Sequence, residues 1–149
     1  MIKIVRGNIL DAKEKYICHQ VNCRNAMGSG LAKALYEKWP RVKASYHAVA
    51  SEFISSPQEL LGKFQLVYVE DSQYVVNVFG QLDYGRDKSI VYTDYDALRT
   101  AFAGMAQLDG NFAFPHGFGC GLANGDWGTV YGLIRDCFQD HKVKIYRLD

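Results

Sequence analysis

An α/β fold, with a mixed and mostly parallel sheet carrying helices on both faces, is what this 149-residue chain predicts. Three observations predict it. Runs rich in β-formers alternate with runs of helical period through most of the chain. One pair of β-rich runs near the middle is joined by a short polar turn, the pattern of an antiparallel hairpin. The composition is 48% hydrophobic and 22% charged, an ordinary globular balance. Residues 1–149 show no repeat, linker or low-complexity segment, and their length suits one domain with a real core.

The elements follow in order. "IKIVRG" reads as an opening strand, and "KYICHQVN" as a second with a buried stretch. Leu31, Ala34, Leu35 and Lys38–Trp39 recur at helical spacing until Pro40 interrupts them. Val42, Tyr46, Val49 and Phe53 mark a second helical stretch, and "KFQLVYVED" with "QYVVNVFG" makes the hairpin. Thr93, with Asp96 three residues on, is placed to cap a helix carrying Leu98, Phe102 and Met105. "NFAFP" is a short buried strand. Asp126 caps a last helix with Val130, Ile134 and Phe138 inward, and "VKIYRL" closes as a strand.

The bulk properties exclude several classes. A formal charge of +1 gives no reason to expect a nucleic-acid or membrane surface. No apolar run approaches the ~20 residues that span a bilayer. The start "MIKIVRGNIL" lacks the apolar core and cleavage site of a leader, which predicts a cytoplasmic protein with Cys18, Cys23, Cys120 and Cys137 as reduced thiols. Cys18, His19, Cys23, His116 and Cys120 show none of the paired spacings of a zinc site, so neither metal nor cofactor is expected.

Two turns are richer in polar and small residues than a connection needs. "NCRNAMGSGLA" (22–32) and "HGFGCGLANGDW" (116–127) each follow a strand and lead into a helix. Glycines let backbone N–H groups approach a ligand closely, and successive N–H groups at a helix start form an anion-binding concavity. Two such turns at the carboxyl ends of neighbouring strands would grip a diphosphate from both sides. Neither the phosphate-loop pattern nor the G-x-G-x-x-G spacing is present, and plain tight turns remain the competing reading.

"GNIL", "VNCRNAMGSGLA" and "GFGCGLANGDW", in this order along the chain, resemble the macrodomain fold, a three-layer sandwich that binds ADP-ribose and its derivatives. The resemblance covers essentially the whole chain and implies a stand-alone macrodomain. It implies that Asn8 accepts from the adenine amino group while the N–H of Ile9 assists in holding the base, with a simple turn as the alternative for "GN". It places Asn22 at the distal ribose, against a turn-bonding role. Gly28, Ser29, Gly30 and the helix start at Leu31 match the first phosphate loop, and Gly119, Cys120, Gly121 and Leu122 the second. Phe118 is placed to wall the ribose, or else packs in the core. Tyr146 falls near the adenine, or is simply a good strand former.

The resemblance leaves two kinds of enzyme and a reader open. Members that remove ADP-ribose from protein or DNA use a lysine after the middle strand; here that position holds Gln81, and the position of a second-loop aspartate holds Ala123. An amide cannot form a Schiff base. Members that dephosphorylate ADP-ribose 1″-phosphate resemble this chain at "CHQVNC", where His19 matches a histidine implicated in catalysis. His19 shares strand parity with Ile17 and Val21, so a satisfied core histidine is the alternative. Asp126 is a second candidate acid or base, against a plain N-cap, and Cys120 is a small filler or a nucleophile. The expectation is a hydrolase of ADP-ribose 1″-phosphate, with His19, Asn22 and Asp126 at the chemistry. A non-catalytic reader and an ADP-ribosyl hydrolase are its alternatives. Its partner would be ADP-ribose or a derivative, including ADP-ribosylated macromolecules. The segment "LDYGRDKSIVYTDYD" is an exposed loop or a flap.

Overall fold

The computed structural model describes all residues from Met1 to Asp149. Six strands form one sheet: β1 (Ile2–Arg6), β2 (Tyr16–Asn22), β3 (Phe64–Glu70), β4 (Gln73–Gln81), β5 (Phe112–Pro115) and β6 (Val143–Arg147). Their spatial order is β1-β6-β5-β2-β4-β3. Every neighbouring pair is parallel except β3 with β4, the antiparallel hairpin at one edge. Four helices cover it: α1 (Gly30–Lys38), α2 (Arg41–Glu52), α3 (Tyr95–Met105) and α4 (Trp127–Cys137). The α/β class, the hairpin and the mostly parallel sheet are as the sequence predicts.

Alternation along the strands builds two cores, one on each face. Tyr16 and Cys18 of β2 and Val76 and Val78 of β4 pack with Leu98 and Phe102 of α3 and with Val130 and Ile134 of α4. Ile17, Val21, Val75 and Phe79 turn the other way, onto Leu35, Val42, Tyr46 and Ala50 of α1 and α2. A period of two residues sends successive side chains to opposite faces, so a strand buried on both faces must be apolar almost throughout. Pro40 stands between α1 and α2, where its ring and missing N–H end the first helix.

One cap differs from expectation. The first residue of α3 is Tyr95, and Asp94 caps it by accepting from the N–H of Ala97 at 2.9 Å. Thr93 lies one residue too early; its hydroxyl donates instead to the carbonyl of Gly119 at 2.6 Å. Asp126 caps α4 as expected, accepting from the Thr129 N–H at 2.9 Å.

Because β1, β2, β4, β5 and β6 run parallel, their carboxyl ends share one edge of the sheet. β2 pairs with β5. The two glycine-rich turns that follow them therefore emerge side by side, where open α/β sheets hold their ligands.

Candidate active site: a cleft between two glycine loops

A cleft of about 950 Å³ opens at that edge, at the upper end of the ~300–1,000 Å³ usual for ligand sites. Gly28 to Ala32 line one wall and Gly117, Gly119 and Gly121 the facing wall. His19 to Asn22 of β2 and Gln81 of β4 lie at its base, and Tyr84 to Arg86 close a third side. Arg86 is the one formally charged side chain of the lining; it contains no lysine and no carboxylate.

The loops present unpartnered donors. The backbone N–H groups of Gly28, Ser29, Gly30, Leu31 and Ala32 find no acceptor within the protein, as expected where a helix begins. Those of Gly119, Gly121, Leu122 and Ala123 are likewise free. Gly30 has φ +61° and Gly119 φ +73°, conformations that favour glycine. A Cβ at Gly119 would also lie 2.9 Å from Oε1 of Gln20, whereas at Gly28 and Gly121 it would meet nothing within 4 Å. A wall of bare amides with a nearby guanidinium suits an anion.

The polar groups at the base are organised by β2. Gln20 donates through Nε2 to Oε1 of Gln81 at 2.8 Å and to the Thr93 hydroxyl at 2.9 Å. Gln81 itself donates to the Asp83 carbonyl, so its amide is held at both ends. His19 is 2% exposed, and burial pulls its imidazole down to about 4, although the bond to Asn77 opposes this. At neutral pH it is therefore uncharged.

Asn22 borders the cleft, but most of its amide is engaged. Its Oδ1 accepts from the Arg24 N–H and the Tyr46 hydroxyl, each at 2.9 Å, and its Nδ2 donates to the Ala26 carbonyl at 2.7 Å. One amide hydrogen is left for a ligand. Asn22 thus also holds the first loop in shape, the turn-bonding role weighed above.

Several expected residues lie elsewhere. Asp126 is outside the lining; its carboxylate accepts from both the N–H and hydroxyl of Thr129, which lowers its pKa and makes it a cap rather than an acid. Cys120 is also outside. Its thiol packs against the core, approaches the Phe118 carbonyl at 3.2 Å and is pushed up to about 11 by burial, with Asp126 adding to the rise. Its N–H is taken by the Gly117 carbonyl. The Phe118 ring stands 5.6 Å from Phe114 and 5.8 Å from Phe102, so it is spent in the core although the residue borders the cleft. Asn8 caps the short turn Ile9–Asp11 by accepting from the Leu10 N–H, and Ile9 is buried below it. Tyr146 donates its hydroxyl to Glu14 at 2.6 Å. None of these three lines the cleft, although all sit at the same sheet edge. Gln20, Tyr84, Arg86 and His116 line it without having been singled out as ligand contacts. Tyr84 and Arg86 fall in the "LDYGRDK" segment, whose flap reading was the available signal.

The sheet order, the helices on both faces and a cleft between these two loops give the chain the macrodomain fold. The relatives bear this out. A macrodomain protein from Streptomyces coelicolor superposes with a TM-score of 0.81 at 28% identity, covering 100% of both chains. The macrodomain of Mycobacterium tuberculosis DarG superposes equally well, with a TM-score of 0.81 over 100% of this chain and 99% of that one, but at 19% identity, a likeness of fold alone. In sequence, the chain is 32% identical over 102 residues to the ADP-ribose 1″-phosphate phosphatase of Candida glabrata, a match covering 62% of this chain and 55% of that protein. The chain thus spans about half the length of that relative. No protein-family model matches it. No helix is long and apolar enough to cross a membrane, and no group of three histidine, cysteine or acidic side chains is placed to hold a metal ion.

Proposed function

We propose that the chain binds ADP-ribose in this cleft and hydrolyses ADP-ribose 1″-phosphate to ADP-ribose and inorganic phosphate. The observation that carries the reading is the pair of facing loops with free backbone N–H groups, spaced over a cleft large enough for a dinucleotide-sized ligand. The name of the Candida glabrata relative supports the substrate. The loops hold the diphosphate, and the remaining amide hydrogen of Asn22 meets the distal ribose. His19, neutral, accepts a hydrogen bond from water and orients it. Water attacks phosphorus as the bond from phosphorus to the sugar oxygen breaks. The proton that water loses to His19 returns from the imidazolium to the leaving oxygen. An imidazole held near 4 is a weak base but, once protonated, a strong acid, which suits a reaction whose barrier lies mainly in the leaving group.

Lysine-dependent release of ADP-ribose from macromolecules is disfavoured by the lining itself, which offers the pinned amide of Gln81 and no lysine. A second reading, a reader without chemistry, is favoured by one observation: no carboxylate reaches the cleft. Incubating the purified protein with ADP-ribose 1″-phosphate and measuring inorganic phosphate separates the two. Stoichiometric ADP-ribose and phosphate are expected. Tight binding of the substrate with no phosphate released would leave the reader standing.

A further inference from the structure

His19 is tied to α2 by a chain of side-chain amides. On the sheet, His19 of β2 lies directly opposite Asn77 of β4, and Asn77 directly opposite Gln65 of β3. All three belong to the face covered by α1 and α2, since His19 shares parity with Ile17 and Val21 and Asn77 with Val75 and Phe79. His19 Nε2 meets Asn77 Oδ1 at 2.5 Å, Asn77 Nδ2 donates to Gln65 Oε1 at 3.0 Å, and Gln65 Nε2 donates to the Ser45 carbonyl of α2 at 2.9 Å. Asn77 is fully buried.

The direction of this chain is set at its outer end. A backbone carbonyl only accepts, so Gln65 must turn its NH2 group to Ser45 and its oxygen to Asn77. Asn77 must then present NH2 to Gln65 and its oxygen to His19. That oxygen only accepts, so Nε2 of His19 must carry a proton. In a neutral imidazole the other nitrogen is then a bare lone pair. Nδ1 is buried and has no partner in the protein, and His19 is among the residues that line the cleft. A buried acceptor left unpaired is costly and calls for an explanation.

We propose that Asn77 and Gln65 are positioning residues that hold His19 in its Nε2–H form, so that Nδ1 is kept as a hydrogen-bond acceptor for a hydroxyl or water in the cleft. The acceptor role rests on the functional reading above; the tautomer does not. Nothing in the sequence marks this relay, because His19 lies 58 residues from Asn77 and the three side chains meet only through strand register.

Nuclear magnetic resonance on the 15N-labelled full chain tests it. Long-range proton–nitrogen correlations of the His19 ring at neutral pH should show Nε2 protonated and Nδ1 not. A proton on Nδ1, or two nitrogens averaged between the forms, would overturn the relay without any variant being made. Gln65→Leu, outside the cleft, should release the anchor and bring the two nitrogen shifts toward each other; unchanged shifts in a folded variant would remove Gln65 from the chain. Adding ADP-ribose to the wild type should move Nδ1 more than Nε2. Binding seen by calorimetry with Nδ1 unmoved would overturn the acceptor role. If ADP-ribose does not bind at all, the functional reading and the acceptor role fall together, while the tautomer result still decides the relay.

Discussion

At the scale of single residues, His19 makes the most testable statements. Its imidazole sits near 4 when folded and near 6.5 when unfolded. Between those values the unfolded chain binds the extra proton, so stability is present above pH ~6.5 and is lost as pH falls toward ~4. At 1.36 kcal/mol per unit, the loss amounts to about 3 kcal/mol from this group alone. Urea unfolding at pH 7 and pH 4.5 should show it as a larger drop for the wild type than for His19→Ala. Equal drops would place His19 in water. The same variant should lower phosphate release by about 10²- to 10⁴-fold, as expected for a lost proton-transfer group, with little change in affinity for ADP-ribose. Asp126→Ala is the counterpart. It should lower the melting temperature slightly as a lost cap and leave turnover within a factor of two. A hundredfold loss of turnover in a stable variant would return Asp126 to the chemistry.

Elements decide which glycines matter and why. In the second loop, Gly119 is constrained twice, by its positive φ and by Gln20 behind it. Gly119→Ala should therefore destabilise the fold by about 1–3 kcal/mol in thermal unfolding. Gly121→Ala has open space for its methyl group, so stability should hold while the affinity for ADP-ribose falls by about tenfold, since the methyl group stands at the cleft wall. If both variants lose stability alike, the second loop is a structural turn and not a ligand wall. Elements also show what could be read in advance. The strands, helices and hairpin were legible because apolar spacing reports burial directly: Leu98, Phe102 and Met105 all face the core, as their period requires. The α3 cap was misplaced by one residue because Thr93 and Asp94 are both good caps, and only the bond from Thr93 to Gly119 across 26 residues decides between them.

For the whole molecule, the sheet order converts sequence neighbours into site neighbours. Placing β5 beside β2 brings together loops that are nearly a hundred residues apart, and their glycines and helix starts were visible in the sequence. The residues that the resemblance assigns to adenine were not legible in the same way. Asn8 and Tyr146 lie outside the cleft lining, Asn8 spent on Leu10 and Tyr146 on Glu14, bonds that depend on side-chain partners and not on spacing. Asn77 and Gln65 are silent in the sequence for a related reason, since register across three strands is a property of the assembled sheet. The central claim is that the two loops together form a site for ADP-ribose. Isothermal titration calorimetry of the purified protein with ADP-ribose, and with AMP as the control ligand, measures it directly. Saturable binding of ADP-ribose with much weaker binding of AMP is the predicted result, because AMP carries only one phosphate and no distal ribose to span both walls. No heat with either ligand, or equal affinity for both, would contradict the account.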